Sequence, residues 1–370
     1  MIQQVARKRV LVAMSGGVDS SVTAVLLKNQ GFDVVGVNLQ LWNHADSNEK
    51  NTGGRCCSLV DSNDARRVCD KIDVPFYVIN AQSIFNDKVV DNFVHEYLSH
   101  RTPNPCVQCN NHIKFSYLIN KADELGCEFI ATGHYSHVRV DPITGVAHLH
   151  KGADPQKDQS YFLFGLSQAA LKRTMMPLGG FAKAMVRKLA AQFDLGIADK
   201  ADSQEICFVG DEGYKEFVEA RSPATLRPRG TIVTTNGELV GDHDGLYRYT
   251  IGQRKGLQIA RKDEDYFVVG FDTVNQKLIV GPEKFLFHRE LLATELSWVR
   301  PVDELRAIRC KAKIRSRHEE APCNVTVFEN GVALVKFDEP QRAITPGQAI
   351  VFYDGDEVLG GAFIKSIRDK

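Results

Sequence analysis

Residues 9–39 read RVLVAMSGGVDSSVTAVLLKNQGFDVVGVNL, and this stretch decides the fold class. The apolar run 9–14 predicts a buried β-strand, and the glycines that follow it predict a tight turn. Residues 22–27 predict an apolar helix that ends at Gly31, and residues 34–39 predict a second strand. A strand, a turn, a helix and another strand in direct succession are typical of the βαβ unit of a parallel sheet.

The same alternation continues through the first half of the chain, with strand-like runs at 76–79 and 129–132. We therefore predict an α/β fold with a doubly wound parallel sheet. After about residue 210, turn-forming sequences separate short apolar runs, and from about residue 290 these runs alternate with a period of two. The predicted domains are 1–215 with the parallel sheet, a small β-rich central domain at 216–285, and a barrel or sandwich at 286–370.

The composition of the 370-residue chain, with 43% apolar and 25% charged residues, is that of a globular protein. No apolar run is long enough to cross a bilayer, and the N-terminus lacks the apolar segment of a signal peptide. We therefore expect a cytoplasmic protein without a membrane partner. The 46 basic and 46 acidic residues cancel, so any nucleic-acid surface must be local.

The sequence SGGVDSS at 15–21 predicts a phosphate-binding loop between the first strand and the first helix. Glycines let the backbone approach a ligand closely, and the N–H groups at the start of a helix suit an anion. Ser20 and Ser21 could add hydroxyl donors, whereas Asp19 would face a phosphate only through a cation such as Mg²⁺. The loop has no Walker A lysine. The alternative interpretation is an ordinary glycine turn with a serine N-cap.

Two further segments follow predicted strands and are expected at the same edge of the sheet. Ligands of open parallel sheets bind beyond the carboxyl ends of the strands. Leu39 ends the second strand and could offer its backbone to an adenine. Gly133 ends a later strand and could let a nucleotide approach closely. Either segment alone would more often be structural, and their agreement with the loop favours a nucleotide site.

The cysteines suggest thiol or metal chemistry. Cys106 and Cys109 form a Cys-x-x-Cys behind two prolines in TPNPCVQCN at 102–110, an arrangement that suits reactive thiols or a metal. A structural zinc site would need a second close pair, and this sequence has none. Cys207 is a third candidate, although a single cysteine is more often a core residue. The other six cysteines have no assigned role and are expected to be buried: Cys56, Cys57, Cys69, Cys127, Cys310 and Cys323.

Residues 309–317 read RCKAKIRSR, with a basic residue at every odd position. In a strand this pattern would place five cations on one face and small or apolar residues on the other. A solvated strand face is one interpretation. We favour a phosphate-binding face, because a row of like charges repels itself unless a polyanion offsets it.

Seven motifs occur in order along the chain: SGGVDSS at 15–21, RTPNPCVQCN at 101–110, ATGHY at 131–135, KDQSYFL at 157–163, SQEICFVG at 203–210, TIGQRKGL at 250–257 and TPGQ at 345–348. The first motif resembles the PP-loop of ATP pyrophosphatases. Together the seven resemble the bacterial tRNA-specific 2-thiouridylases. The resemblance implies a PP-loop ATP-binding catalytic domain, a central tRNA-binding domain and a C-terminal β-barrel. It also implies that ATP adenylates O2 of the wobble uridine, position 34, and that sulfur then displaces AMP at C2.

The resemblance also implies roles for individual positions. The residues that would bind ATP are Ala13, Met14, Ser15, Gly16, Gly17, Val18, Asp19, Ser20, Leu39 and Gly133. Those that would contact the target base or the rest of the tRNA are Asn104, Pro105, Cys106, His134, Lys157, Asp158, Gln159, Arg315, Ser316 and Gln348. Cys109 matches the nucleophile and Cys207 the persulfide carrier, and the two could form a disulfide during turnover. Lys157 and Asp158 could equally be a local ion pair.

One position departs from the best-described branch of the family, which has Asp where this chain has Cys106. The cysteine variant resembles thiolases that hold a [4Fe–4S] cluster by three cysteines, which here would be Cys106, Cys109 and Cys207. Cluster iron prefers thiolate ligands. A cluster that binds hydrosulfide and a persulfide relay fed by a sulfur donor protein both remain open.

Two other functions are weighed. A synthetase that adenylates a small metabolite could use the same loop without needing the cysteines or the basic strand. A tRNA-binding or iron–sulfur scaffold protein with an inactive nucleotide site would not need the complete loop with Asp19. We expect an enzyme that uses ATP and Mg²⁺ and acts on tRNA.

Overall fold

The computed structural model describes residues 7–42, 59–202, 206–257, 259, 265–300 and 307–368. Cys56 and Cys57, which are expected to be buried, lie outside the described residues, and so do residues 203–205. The described residues form seventeen strands: β1 Arg9–Ala13, β2 Asp33–Gln40, β3 Phe76–Asn80, β4 Phe129–Ala131, β5 Ser136–Val140, β6 Ala147–Lys151, β7 Thr174–Met175, β8 Gly230–Thr234, β9 Leu239–His243, β10 Phe267–Asp272, β11 Lys277–Gly281, β12 Phe287–Trp298, β13 Ala307–Lys313, β14 Ala321–Val327, β15 Ala333–Arg342, β16 Ala349–Asp354 and β17 Glu357–Ile367.

The α-helices lie in the first 220 residues of the described chain. They are α1 Val18–Asn29, α2 Leu59–Lys71, α3 Gln82–Phe85, α4 Asp91–Leu98, α5 Pro105–Cys109, α6 Leu118–Glu124, α7 Gln168–Lys172, α8 Lys183–Gln192 and α9 Tyr214–Ala220. Two π-helical stretches, Asn86–Val90 and Asn110–Tyr117, join α3 to α4 and α5 to α6. The cysteine motif of α5 therefore begins a longer helical segment that runs to residue 124.

The first sheet confirms the predicted α/β fold. Its strand order is β3-β2-β1-β4-β7, and every neighbouring pair is parallel. Side chains of a strand alternate between the two faces, and here Leu11 packs into one apolar cluster while Val10 and Val12 pack into another. Both faces of the sheet are covered, as a doubly wound fold requires.

The other two sheets confirm that the remainder of the chain is β-rich. A four-stranded sheet, β10-β11-β8-β9, has its own apolar core around residues such as Ile232, Val268 and Leu278. Strands β12-β15-β14-β13-β16-β17 form a closed six-stranded barrel, because β12 also pairs with β17. The barrel, rather than a sandwich, is therefore the fold of the C-terminal region. The exact boundaries near residues 215 and 285 remain a proposal.

Sequence patterns did not predict that the hairpin β5–β6 joins the barrel. Val358 of β17 pairs with Leu149 of β6, so a hairpin from the first half of the chain extends the C-terminal sheet. The phenolic hydroxyl of Tyr161 donates to the carbonyl of Ala349, at 2.8 Å, and links the same two regions. These contacts fix the barrel against the region that carries the phosphate loop.

Three motifs that are far apart in sequence meet at one junction. Gln348 Nε2 donates to the carbonyl oxygens of Thr102 and Pro103, at 3.1 and 3.0 Å. Thr102 N–H donates to the carbonyl of Pro346 at 2.9 Å, and the hydroxyls of Thr102 and Thr250 are 3.4 Å apart. The chain just before Cys106 is therefore held by both β-rich regions. In the part of the chain that the structure describes, no helix is long and apolar enough to span a membrane.

Candidate active site

The predicted phosphate loop connects β1 to α1. Gly16 has a φ of +72°, and a Cβ there would lie 2.1 Å from the carbonyl oxygen of Asp61. Gly17 is the N-cap of α1 in an extended conformation, and within the described chain no side chain caps it. The first N–H groups of a helix lack partners inside the helix. With the helix dipole they form a site for an anion such as a phosphate.

The loop serines support the loop itself. Ser20 Oγ donates to the carbonyl of Gly17 at 3.2 Å and accepts from the N–H of Ser15 at 3.1 Å. Ser21 Oγ donates to the same carbonyl at 2.9 Å. The alternative of a serine N-cap is wrong, because the cap position is Gly17 and both hydroxyls point to its carbonyl. In this structure the serines hold the turn that presents the helix N–H groups.

The predicted nucleotide residues lie at one edge of the first sheet. Ala13 ends β1 and Leu39 is the penultimate residue of β2, with 8% of its surface exposed. Gly133 follows β4, and a Cβ there would lie 2.9 Å from the backbone of Asp19 and Ser20. A glycine is therefore required where the β4 loop touches the start of α1. The structure brings Gly133 to the loop, as the strand-end argument predicted.

The carboxylate of Asp19 has partners that sequence patterns did not predict. Lys183 Nζ lies 2.8 Å from both of its oxygens, and the Tyr135 hydroxyl donates to Oδ1 at 2.7 Å. Burial, followed by this hydrogen bond, raises the pKa of the Tyr135 hydroxyl far above its usual value. Tyr135 is therefore a protonated donor at neutral pH. A carboxylate oxygen is a suitable Mg²⁺ ligand, so Asp19 fits the predicted metal if Lys183 moves away.

Asp202 forms ion pairs with three basic side chains next to Asp19. Lys183 and Lys157 place their Nζ atoms 2.8 and 2.7 Å from its two carboxylate oxygens, and Arg187 Nη2 lies 3.0 Å away. Burial alone would raise the pKa of Asp202, but the hydrogen bonds from the two lysines hold it below its usual value. Asp202 is therefore a stable anion that fixes several basic side chains at the edge of the loop.

A second lysine supports the loop from the other side. Lys200 Nζ contacts the carbonyl of Gly16 at 3.0 Å, Asp61 at 2.7 Å and Asp64 at 2.7 Å. Burial lowers the pKa of Lys200, yet the hydrogen bonds to the two carboxylates outweigh it and leave the pKa raised. Lys200 thus ties the start of α2 to the loop backbone. No pattern in the sequence signals these isolated lysines, because the loop residues that they contact, Asp19 and Gly16, are more than a hundred positions away.

The predicted cysteine segment forms a short, capped helix. The Asn104 side chain accepts from the N–H of Val107, and Pro105 occupies the first turn of α5. Cys106 is exposed and Cys109 is buried, with 7% of its surface exposed. An asparagine cap followed by proline is a common helix start. The two thiols therefore differ in accessibility although they are only three residues apart.

Cys207 is half-buried and packs against the same apolar cluster that contains Cys109. Its neighbour Phe208 anchors this segment, because its ring lies 5.1 Å from Phe93 and 5.5 Å from Phe85, centroid to centroid. Both ring pairs are edge-to-face, a favourable arrangement. The structure therefore places Cys207 on the same side of the sheet as the cysteine helix.

The predicted cluster ligands do not form a metal site in this structure. Among the described residues, no group of three or more His, Cys, Asp or Glu side chains could hold a metal ion. The described residues therefore give no support for a [4Fe–4S] cluster at Cys106, Cys109 and Cys207, and we derive no step through one. Four cysteines without an assigned role are buried as expected: Cys69, Cys127, Cys310 and Cys323. Burial, the largest cause, raises the pKa of Cys69 to about 12, which is typical of an inert thiol.

The helix of Cys109 and the phosphate loop meet at residues 132–135. Gly133 touches the start of α1, and the ring of the next residue, His134, lies 5.6 Å from Phe115 in the continuation of the cysteine helix. Thr132 Oγ1 and His134 Nδ1 form a hydrogen bond of 2.7 Å. Burial, with Lys114 nearby, lowers the pKa of His134 well below its usual value. His134 is therefore a neutral, buried ring between the two regions.

Several predicted tRNA residues have internal partners. Gln159 Oε1 accepts from the N–H of Tyr135 at 2.9 Å, and Asp158 accepts from the N–H groups of Gly152 and Ser160. Lys157 binds Asp202, so the alternative of a local Lys157–Asp158 ion pair is wrong. Their contact with tRNA remains a proposal.

The basic strand is shorter than predicted. β13 ends at Lys313, so Arg315 and Ser316 lie in the following turn, where His318 N–H donates to the carbonyl of Arg315. Arg309 forms two short bonds to Asp338, and Lys313 lies 3.8 Å from Glu320. The expectation of five unopposed cations on one strand face is therefore wrong, because acidic side chains from later segments neutralise part of the row. Arg315 is half-buried and donates to the carbonyl of Arg342.

Comparison with known proteins identifies relatives over the whole chain. Three family models match: a tRNA methyl transferase HUP domain at 8–211, a tRNA methyl transferase PRC-barrel domain at 215–282 and an aminomethyltransferase beta-barrel domain at 288–364. The tRNA-specific 2-thiouridylase MnmA of Geotalea uraniireducens is 49% identical over 99% of this chain and 97% of its own length. The protein of the same name from Geobacter metallireducens is 49% identical over 97% of each chain.

Among solved structures, a 4-thiouridine synthetase–RNA complex with bound ATP aligns with 59% of this chain and 52% of its own. Its sequence identity is 15% and its TM-score 0.34. Similarity this distant supports no argument about the site.

Proposed function

This chain belongs to the family of tRNA-specific 2-thiouridylases, and from that premise we propose how its residues divide the work of an ATP-dependent tRNA sulfurtransferase. The HUP-domain model is described by a methyl transferase name, whereas the full-length relatives are named 2-thiouridylases. Methyl transfer to a base would not need a loop for ATP. The loop and the cysteine helix therefore agree with thiolation, and the alternative of a small-metabolite synthetase is not favoured.

The first step that we propose is adenylation of the wobble uridine. O2 of uridine 34 attacks the α-phosphorus of ATP, the bond to the β-phosphate bridge breaks, and pyrophosphate leaves while the uridine loses its N3 proton to solvent. The uncapped start of α1 and the close approach of Gly133 support a triphosphate at this edge of the sheet. Asp19 would hold the Mg²⁺ that accompanies ATP and offsets phosphate charge.

The second step that we propose is sulfur transfer from a cysteine persulfide. The terminal sulfur carried by Cys207 attacks C2, the C2–O2 bond breaks and AMP leaves. The Cys109 thiolate then attacks Sγ of Cys207 and breaks its bond to the transferred sulfur, which stays on the tRNA as a thiocarbonyl while N3 takes up a proton from solvent. A Cys109–Cys207 disulfide forms. Two thiolates supply the two electrons that reduce the sulfane sulfur. A sulfur donor protein loads the persulfide, and an external thiol reduces the disulfide.

We assign recognition of the target base to the cysteine loop, which is the segment 102–106 that leads into α5. Asn104, Pro105 and exposed Cys106 would line the base, which must leave its stack before C2 can be reached. The turn after β13, with Arg315 and Ser316, and the turn with Gln348 would contact the tRNA backbone. Because ATP and tRNA meet in the cytoplasm, we propose that the protein works there.

The observation that carries the proposal is the contact at residues 132–135. Gly133 touches the phosphate loop while His134 packs against the helix that continues from Cys109. A base held at the cysteine loop could thus be brought to a nucleotide held at α1 without a large rearrangement.

The test uses the wild-type protein with ATP, Mg²⁺, a persulfide-generating desulfurase and two transcripts of one tRNA, with uridine or cytidine at position 34. We expect 2-thiouridine, detected by nucleoside mass spectrometry, and AMP in equal amounts only with the uridine transcript. AMP release without thiouridine would remove sulfur transfer from the function. Equal AMP release with the cytidine transcript would remove the wobble uridine as substrate.

A further inference from the structure

Lys183 is the basic residue that contacts Asp19 of the phosphate loop among the residues that the structure describes. It is the first residue of α8, and 11% of its side chain is exposed. Its ammonium group lies 2.8 Å from both oxygens of Asp19 and 2.8 Å from Asp202. Its backbone N–H donates to Asp154 at 3.0 Å. A nearly buried cation is therefore shared between the loop and a second carboxylate.

Lys183 can leave Asp19 without leaving Asp19 or Asp202 unpaired. Asp202 would keep Lys157 and Arg187, at 2.7 and 3.0 Å. Asp19 would keep the hydrogen bond from the Tyr135 hydroxyl. Removing the only partner of a buried charge is costly, whereas these carboxylates have other donors. The network thus permits Lys183 to change its acceptor while Asp202 retains it near the loop.

Lys200, the other lysine at the loop, is bound in a different way. It contacts the carbonyl of Gly16 as well as two carboxylates, one of which, Asp61, is 4% exposed. Lys200 therefore supports the backbone of the turn. Its ammonium group is committed to the side of the loop that faces α2, and it does not contact Asp19.

The loop itself has no lysine for the phosphates. Bound ATP would bring several negative charges next to Asp19, and like charges at this distance repel. When Asp19 takes the metal ion that accompanies ATP, Lys183 loses that acceptor. The phosphate oxygens then become its nearest new anionic partners.

We propose that Lys183 is a catalytic residue of adenylation that moves from Asp19 to the phosphates of ATP and neutralises the departing pyrophosphate. Asp202 is the positioning residue that holds Lys183 during this exchange. Lys183 only donates hydrogen bonds, so the bond changes are those of the adenylation step. The inference deepens the proposed function and rests on it.

The test compares Lys183→Met, Lys183→Arg and the matched control Arg187→Met. Arg187 shares Asp202 with Lys183. Single-turnover release of pyrophosphate with tRNA should fall about 10²–10³-fold in Lys183→Met, the range for removing one charge-stabilising donor. Lys183→Arg should recover most of this rate. Arg187→Met should stay within about 3-fold of the wild-type rate even though its thermal midpoint falls, because Arg187 also donates to the carbonyls of Ala198 and Lys200.

A binding measurement without tRNA keeps the proposal testable if no chemistry occurs. Lys183→Met should bind ATP about 10-fold more weakly and AMP as well as wild type, since a charged hydrogen bond contributes about 1.4 kcal/mol or more. Unchanged pyrophosphate release, or equal losses in Lys183→Met and Arg187→Met, would overturn the role of Lys183. Wild-type protein that releases pyrophosphate but makes no thiouridine would overturn the proposed function and leave Lys183 in its role.

Discussion

The phosphate loop and the cysteine loop are held in place by opposite kinds of interaction. Charged side chains from α8 and the segment after it support the phosphate loop, with Lys183 on Asp19 and Lys200 on the carbonyl of Gly16. The cysteine loop is held by backbone and amide contacts from other regions, above all by Gln348 on Thr102. Binding of an anion should displace the charged side chains that hold the phosphate loop. The contacts that hold the cysteine loop should instead change when the domains move relative to one another.

This difference suggests that ATP and tRNA act on different regions of the molecule. ATP, which carries charge, would reorganise the first region. A tRNA that contacted several domains would act on the second region through the barrel and the central sheet. Mutations can therefore be chosen that impair one region and spare the other.

The largest effect is expected from Gly16→Ala. The position has a positive φ, and the new Cβ would lie 2.1 Å from the Asp61 carbonyl, so the loop must be displaced. We expect pyrophosphate release to fall by about 10³-fold, the scale of a lost set of oriented donors.

The matched control is Gly126→Ala, which also has a positive φ but nothing within 4 Å of the added Cβ. It should cost only about 1 kcal/mol of unfolding free energy, measured by urea denaturation, and leave catalysis intact. Equal loss of activity in both variants would show that stability, rather than the loop geometry, is responsible.

Gly347→Ala should disrupt the contacts that Pro346 and Gln348 make with the cysteine loop, and it should leave the phosphate loop intact. Gly347 has a φ of +89°, and a Cβ would lie 2.7 Å from the carbonyl of Thr102. We expect kcat/KM for tRNA to fall about 10–100-fold, because a small displacement of a binding loop has effects of that order. The dissociation constant for ATP should not change.

Gly355→Ala is the control for Gly347→Ala, since Gly355 lies in the same barrel with a positive φ and no atom near the added Cβ. A weakened ATP affinity in Gly347→Ala would contradict the separation of the two regions.

The charged support should also make stability depend on pH. The pKa of Asp202 lies below its ordinary value of 3.8, so its contribution to stability is complete above that value and is lost as the pH falls through the lower, folded-state pKa. Asp202→Asn should reduce the unfolding free energy by about 1–2 kcal/mol at pH 7, between an exposed pair and a fully buried one. Urea denaturation from pH 7 to pH 3 should show the difference shrinking below about pH 4. A difference that grows on acidification would contradict this assignment.

The smallest effect concerns the basic strand. Among the described residues Lys311 is exposed without an ion-pair partner, whereas Arg309 is paired with Asp338. Lys311→Gln should therefore reduce the slope of log K for tRNA against log salt by about 0.7–0.9, the value for one phosphate contact. Arg309→Gln should change it less. Equal slopes in wild type and Lys311→Gln would mean that this strand face is only solvated.

The sequence was sufficient for the loop and for four of the five strands of the first sheet, since β7 was not predicted. The period of the apolar residues and the turn-forming glycines predicted β1, α1 and β2. Gly133 was placed correctly because the carboxyl ends of parallel strands lie at one edge of the sheet. These are local or topological signals. They also separated the β-rich half from the α/β half.

Lys183, Lys200, Asp202 and Tyr135 could not be found in the same way. Lys183, Lys200 and Tyr135 contact partners more than a hundred positions away, and Asp202 contacts basic residues 15 to 45 positions away. An isolated lysine at a helix start also resembles a solvated residue. The expected row of five cations was wrong for the same reason, since Asp338 neutralises Arg309 only after the strands have paired.

The central claim is that adenylation and sulfur transfer are carried by separate regions. It is tested most directly by rapid-quench measurement of pyrophosphate and 2-thiouridine with Cys207→Ser, tRNA, Mg²⁺ and ATP. The account predicts pyrophosphate release close to one per enzyme, at the wild-type rate, without thiouridine. Loss of pyrophosphate release at an unchanged thermal midpoint would contradict it, because Cys207 would then be needed for adenylation as well.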